Sequence, residues 1–369
     1  MRKLYPLSCI ALVLLLTNCT KGHIYIPPSK GHETIAKIDL GRLIFFDKSL
    51  SNPKGQACAS CHSQPTGFSD PDHGITSPGI IPGLFGSRNS PAIAYSMFIP
   101  ALHYDDDDET YVGGLFWDGR VNSLEEQAQK PFFNILEMNL TDQKMFVSRV
   151  KEADFYPLYQ KIYGNAGDST TVLKNVADAI ATFERSHELN LFTSKFDYYL
   201  RGEASLTAQE LRGFQLFSDP DKGKCTNCHP AEPDANSGKI MFTDFTYDNI
   251  GVPKNTNNPF YTIPAAFNPD GANFIDYGLA KTTGDPSNNG QFKVPTLRNI
   301  ALSAPYFHNG FFNTLEEVVH FYNARDVDNF PPAEITGNVN EEELGNLHLT
   351  PQEEKDIVAF MKTLTDGYK

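Results

Sequence analysis

The chain has 369 residues, 40% of them hydrophobic and 21% charged, which excludes a disordered polymer and a polytopic membrane protein and leaves enough length for two folded domains. Its 27 glycines and 25 prolines point to a loop-rich fold without a collagen-like period. With 31 basic against 45 acidic residues the net charge is −14, which excludes nucleic acid and anionic membrane surfaces as partners held by bulk attraction, while a basic protein partner stays compatible.

Arg2 and Lys3 open the chain with positive charge, and residues 4–16 follow as a mostly apolar stretch too short to span a bilayer comfortably as a helix. It ends in Leu16-Thr17-Asn18-Cys19, which resembles a bacterial lipoprotein box. The reading is an export signal over residues 1–18, cleavage before Cys19 and acylation of that cysteine, with ordinary secretory cleavage as the alternative. Both readings export the protein. The first makes it periplasmic and tied to a membrane only through its lipid.

Farther along, Gly41-Arg42-Leu43-Ile44-Phe45-Phe46-Asp47 reads as a short apolar helix, followed by Cys58-Ala59-Ser60-Cys61-His62. Residues 71–100 are rich in Gly, Pro and Asn and read as loop. Residues 105–109 read as a solvated acidic loop, with docking of a basic electron donor as the sharper alternative. Ser123 and Glu126 form an S-x-x-E capping box, and Val172, Val176, Ile180 and Phe183 mark an amphipathic helix. After a junction near residues 200–206 the pattern repeats. Thr207 and Glu210 cap a helix containing Gly213-Phe214-Gln215-Leu216-Phe217-Ser218-Asp219, then comes Cys225-Thr226-Asn227-Cys228-His229. A second aperiodic stretch covers 247–290, and Ile357, Phe360, Met361 and Leu364 mark a closing helix. The predicted fold is mainly α, with two cytochrome c-like helical domains and long loops, each domain carrying one covalent haem.

Of six cysteines, Cys9 lies in the signal and Cys19 is the proposed anchor; the other four sit in the two C-x-x-C-H motifs. This is the attachment pattern for c-type haem. Two residues between the thiols let both sulfurs reach the vinyl groups of one porphyrin, and the next imidazole lands on the iron. One such pentapeptide arises by chance in well under about 1% of chains this long, and two by chance are negligible. A redox-active disulfide or a four-thiolate zinc site are the competing readings, and each leaves the histidines idle.

The order of C-x-x-C-H, Gly67-Phe68-Ser69-Asp70, Arg88-Asn89-Ser90-Pro91, Phe116-Trp117-Asp118-Gly119-Arg120 and Ser123-Leu124-Glu125-Glu126-Gln127-Ala128 resembles the bacterial di-haem cytochrome c peroxidases, including the MauG-type enzymes. So does the second half, with Lys293-Val294-Pro295-Thr296-Leu297-Arg298-Asn299, Ala304-Pro305-Tyr306-Phe307-His308-Asn309-Gly310 and the run from Thr314-Leu315-Glu316 to Tyr322-Asn323. The resemblance implies an N-terminal domain (19–200) whose haem meets peroxide, a C-terminal domain (201–369) whose haem passes electrons, and a calcium ion between them. His62 and His229 become proximal ligands. Asn89 and the backbone oxygens of Ser303 and Pro305 match the calcium positions, hard ligands suited to that ion, although Asn89 reads equally as a loop hydrogen-bonder. Trp117 and Arg120 fall in the haem region, with pairing to a surface carboxylate as the plainer role for Arg120. Glu125 is assigned to peroxide chemistry, because cleaving the O–O bond needs one group that takes a proton from the inner oxygen and gives it to the outer one. With Glu126 closing the helix start, Glu125 is expected to face the haem; a solvated helix face is the alternative.

The sequence departs from the peroxidase pattern in several places. Thr76-Ser77-Pro78-Gly79 is followed by Ile80 where a blocking histidine stands in many relatives, which leaves His73 and His103 as the candidates for that role. Leu115 replaces a frequent Gln. No Met lies between Met241 and Met361, and Tyr322 occupies the distal position of the second haem, as in MauG-type enzymes. A phenolate favours ferric iron where a thioether favours ferrous. The alternative makes Tyr322 a core aromatic, with His308 or another group as ligand; His320 lies on roughly the opposite helix face. Trp117 is the chain's single tryptophan, which speaks against long-range oxidation of a protein substrate, though 16 Tyr and 27 Phe remain to relay charge. The function expected is reduction of hydrogen peroxide with electrons from a small cytochrome c or cupredoxin. The alternatives are a MauG-type oxidase of a protein or organic substrate and a non-catalytic di-haem electron carrier. A homodimer is compatible with the resemblance.

Overall fold

The computed structural model describes residues 32–369, so the proposed signal and Cys19 lie outside the described residues. The chain is mainly helical, with little sheet. In chain order the helices are α1 (His32–Phe46), α2 (Leu124–Phe133), α3 (Gln143–Glu152), α4 (Tyr156–Tyr163), α5 (Ser169–Glu184), α6 (Lys195–Leu200), α7 (Ala208–Phe217), α8 (Ala280–Thr283), α9 (Leu315–Ala324) and α10 (Pro351–Lys362). Strands β1 (His103–Asp105) and β2 (Thr110–Val112) form an antiparallel hairpin that carries the acidic loop. Strands β3 (Tyr247–Asp248) and β4 (Phe292–Lys293) pair antiparallel with Tyr247 opposite Lys293. Among the described residues no helix is long and apolar enough to cross a membrane.

The helices begin where side chains can satisfy their free N–H groups. Asp168 accepts from Thr171 N at the start of α5, and reciprocal capping boxes open α7 (Thr207 with Glu210), α9 (Thr314 with Glu317) and α10 (Thr350 with Glu353). At α2 the expected box is altered. Ser123 accepts from Glu126 N, but the Glu126 carboxylate reaches one residue farther back, to Asn122 N at 2.9 Å.

Two large apolar cores result, with three smaller clusters beside them among the described residues. One gathers Leu40, Ile44, Phe132, Phe146, Val172, Val176 and Ile180 from α1 to α5; the other gathers Phe196, Phe217, Phe242, Phe321, Ile357 and Phe360 around α7, α9 and α10. Their central crossings are built alike. Gly41 of α1 lies against α5 where an added Cβ would stand 1.9 Å from Ala179 O, and Gly213 of α7 lies against α10 at 1.8 Å from Asp356 O. One turn on from each glycine an aromatic pair closes the crossing, Phe45 with Phe183 at 5.3 Å and Phe217 with Phe360 at 5.1 Å. Helix α6, on the N-terminal side of residue 200, sends Phe196 into the second core.

The aperiodic stretches become the connections between the two cores. Arg88 reaches from the first loop stretch to Asp276 in the second, with Nε and Nη2 at 2.6 and 2.7 Å, and holds Asp118 through Nη1 at 2.8 Å. The C-terminal Asp366 accepts from Tyr95 Oη at 2.6 Å and Thr193 N at 2.8 Å.

Candidate functional site

Each C-x-x-C-H winds into one tight turn. Cys61 N and His62 N both donate to Cys58 O, at 3.1 and 3.0 Å, and His229 N donates to Cys225 O at 2.8 Å. Both sulfurs and the imidazole of the second motif face one cavity, whereas of the first motif only His62 does. The next loop then orients the ring: His62 Nδ1 bonds Phe68 O at 3.1 Å, and His229 Nδ1 bonds Phe242 O at 2.8 Å. With Nδ1 so engaged, Nε2 is the ring atom left to bind a metal, as in ligating histidines generally.

His62, Cys225, Cys228 and His229 line one continuous cavity, together with Trp117, Tyr322 and His308. All four cysteines are free thiols, and burial pushes those of Cys58 and Cys225 up to about 12. A thioredoxin-like pair has the opposite shift. The thiols do not converge on a zinc site either, since among the described residues the one metal-like cluster is Cys228, Asp248 and Glu343.

Several polar groups in the wall lack the partners that burial demands. His308 Nε2 is buried without a hydrogen bond, its ring stacked on Phe292 at 3.5 Å and its pKa pushed down to about 3 by burial. Lys293 is brought in by β4; burial lowers its pKa to about 8 against the opposing charge of Asp118. Tyr322 also lines the cavity, and burial raises its pKa. An apolar wall with a buried amine and phenol, thiols and two oriented imidazoles fits porphyrins bearing carboxylates and iron.

Asn89, Ser303 and Pro305 also line the cavity. Asn89 Nδ2 donates to Gly74 O and Ile75 O, at 3.2 and 3.3 Å, while its backbone oxygen takes the Trp117 indole N–H at 2.9 Å. Its side-chain oxygen and the carbonyls of Ser303 and Pro305 accept no hydrogen bond among the described residues, a donor set that suits a hard cation.

Other predicted residues stand elsewhere. Glu125 was expected to face the haem, but its carboxylate is clamped by Arg185, with Nη1 at 2.5 Å and Nη2 at 3.0 Å, and its neighbours Leu124 and Gln127 line the cavity instead. Burial pushes the Glu125 carboxyl up, but the hydrogen bonds and charge of Arg185 outweigh it and hold the group below the usual range. Arg120 lies outside the wall, stacked 3.5 Å over Phe116 and bonded at 2.7 Å to Asp118, which is buried and so is not the surface carboxylate of its plainer role. His73 bonds Ala304 O and His103 bonds Ala101 O, and neither lines the cavity, whereas Leu115 does. His320 sits on the surface between Glu354 and Asp328, each at 2.9 Å.

Sequence reasoning missed Arg185 and Glu184, and it quoted Arg88 and Lys293 only as parts of motifs. Glu184 had a legible signal. It continues the apolar ladder Val172, Val176, Ile180 at a spacing of four and so falls on the buried face of α5. Glu184 Oε2 is buried with no partner.

Comparison with known proteins matches residues 35–205 to the family described as di-haem cytochrome c peroxidase. The chain is 33% identical over 350 residues to the methylamine utilization protein MauG of Paracoccus denitrificans, covering 89% of this chain and 88% of that one. It is 32% identical to the cytochrome c551 peroxidase of Nitrosomonas europaea, covering 89% and 79%. Its fold superimposes on the diheme peroxidase BthA of Burkholderia thailandensis with a TM-score of 0.77 at 31% identity, covering 89% and 86%.

Proposed function

The chain belongs to the di-haem cytochrome c peroxidase family, and on that premise we propose that it reduces hydrogen peroxide to water with electrons from a small cytochrome c or cupredoxin. It is an oxidoreductase of the peroxidase type. The observation that carries the finer reading is the pair of histidines, each oriented through Nδ1, that open on one shared cavity.

Two covalent haems, when bound, supply iron that takes electrons singly and delivers them in pairs to the O–O bond. Cys58, Cys61 and His62 would hold the haem that meets peroxide, in a domain spanning 19–200. Cys225, Cys228 and His229 would hold the relay haem, in a domain spanning 201–369. Lys293 would pair with a porphyrin carboxylate and thereby satisfy its buried charge. Glu125, kept ionised by Arg185 outside the cavity wall, would serve as the base that takes up the proton released by peroxide without touching peroxide itself. Leu115, Phe116 and Leu124 form the apolar wall nearby and exclude water. That His73 and His103 bond to backbone carbonyls away from the cavity supports an open position above the first iron.

Asn89, Ser303 and Pro305 would hold one calcium ion at the seam between the two halves. Export through residues 1–18, anchoring at Cys19, a periplasmic location and a homodimer belong to the same reading.

Tyr322 favours a second reading, a MauG-type oxidase that uses peroxide against a protein or organic substrate. Its buried phenol ionises only against a strong positive charge such as ferric iron, and a phenolate ligand would store oxidising equivalents. The test is to mix the holoprotein with peroxide and a reduced small cytochrome. Oxidation of two cytochromes per peroxide supports the peroxidase. A long-lived oxidised protein that leaves the cytochrome reduced supports the oxidase, and haems indifferent to peroxide overturn both.

A further inference from the structure

Helix α5 ends in two adjacent ionisable residues with opposite surroundings. Arg185 and its partner Glu125 are each one-third exposed in their side chains, at 34%, and so open to solvent. Glu184 is 4% exposed, lines the cavity, and has its Oε2 buried without any hydrogen bond. A buried carboxyl without partners is costly as an anion and stable as an acid. Burial, the first cause, pushes Glu184 up to about 8; Arg185 opposes that and Glu125 adds to it.

The groups facing it are few. Cys58 approaches from the first haem loop, closely enough for Glu184 to raise that thiol's pKa, and Glu125 approaches from α2. From α1, Lys37 pairs with Asp178, Arg42 pairs with Glu188 of the turn His187–Leu189, and Asp39 is exposed, while α3 offers α5 the apolar Phe146 and Val150. Glu184 is thus a single protonatable oxygen pair in the cavity wall, with the partly exposed Glu125–Arg185 ion pair near enough to act on its charge.

We propose that Glu184 is the proton carrier of the N-terminal half, taking one proton from solvent, by way of the Glu125–Arg185 pair, as one electron enters the cavity beside it. The electron comes from the redox partner. Where Glu184 starts as the anion, the one bond formed is O–H on its carboxylate; where it starts protonated that bond is already in place, and in both cases it breaks when the proton passes on toward reduced oxygen. An added negative charge in a low-dielectric cavity raises the proton affinity of the nearest unpaired carboxylate, so the two uptakes are linked. Two carboxyls with proton affinities pushed apart, Glu125 ionised and Glu184 protonated, then divide the base and acid roles. This rests on the cavity holding the first haem but not on peroxide being the substrate.

The test is a redox titration of the holoprotein without peroxide, repeated from about pH 6 to about pH 9, a range that brackets the affinity of about 8. In the wild type the potential of the N-terminal haem falls with rising pH above about 8, where Glu184 starts ionised, and is flat below it. Glu184→Gln loses part or all of that slope, and Glu184→Asp keeps it. The reduced-minus-oxidised infrared difference spectrum shows a carboxylic-acid band that Glu184→Gln lacks. A Gln variant with the wild-type slope and the wild-type band overturns the proposal. If that variant fails to assemble, a wild-type difference spectrum without any carboxylic-acid band overturns it equally. Failure of peroxide turnover touches neither readout, so the two failures are distinguishable.

Discussion

The α-carbon of Gly41 lies so close to the carbonyl of Ala179 that a methyl group there would stand 1.9 Å from its oxygen. Helices α1 and α5 can meet only through a glycine, and Gly213 repeats the arrangement against Asp356. Gly41→Ala or Gly213→Ala must part the crossing helices and loosen the aromatic pair one turn on. Each is expected to cost about 3 kcal/mol or more, the upper end for overpacking, because the obstacle is backbone rather than a movable side chain. Thermal melts followed by circular dichroism read this directly, and a melting temperature unchanged in both variants contradicts the crossing.

Arg88 neutralises two buried carboxylates from different loop stretches, Asp118 and Asp276. Burial pushes Asp276 up, but the charge of Arg88 outweighs it and holds the carboxyl well below the usual range. A depressed carboxyl stabilises the fold above its unfolded value of about 4, and that stability is lost as pH falls through the lower folded value. Arg88→Met leaves the buried Asp276 without its charge partner, while Asp118 keeps Arg120, and is expected to destabilise by about 3–5 kcal/mol at neutral pH. The sign then reverses. With burial unopposed, Asp276 titrates above its unfolded value, so the variant gains stability on mild acidification where the wild type does not. Urea midpoints at neutral pH and near pH 5 distinguish the two.

Arg185 holds Glu125 ionised, so Arg185→Met should raise the proton affinity of that carboxylate. Charge partners of this kind shift a carboxyl by about 1–3 pH units when buried, and one-third exposure reduces the effect toward about 1. The acid limb of the peroxide pH–rate profile should move up by that amount, with KM for the donor unchanged. An unmoved limb separates Arg185 from the proton chemistry.

Tyr322→Met replaces a phenol by a thioether. If the phenol is the second haem's distal ligand, the potential of that haem should rise by on the order of 0.1 V, within the ~0.8 V that axial ligands span. Spectroelectrochemistry measures it, and an unchanged potential removes the tyrosine from the iron.

What could be read from sequence alone was local. The two C-x-x-C-H turns, the capping box at Thr207 and the apolar ladders of α5 and α10 depend on residues within a few positions of one another, so spacing carries them. The glycines at the crossings sat within quoted segments, but nothing in their neighbours indicated a carbonyl 1.9 Å away. The Arg88–Asp276 pair joins residues 188 apart across aperiodic loops, and the Arg185–Glu125 pair joins residues 60 apart on different helices. Neither follows from periodicity. Glu125 shows the consequence. The motif pointed its carboxylate at the haem, but the direction of that carboxylate depended on an arginine outside the motif.

The central claim is an open coordination position above the iron held by His62, with the iron held by His229 closed on both sides. Electron paramagnetic resonance of the resting ferric holoprotein tests it most directly. The account predicts one high-spin and one low-spin haem signal. Two low-spin signals that persist after partial reduction would contradict it, because a metal capped on both faces cannot bind peroxide.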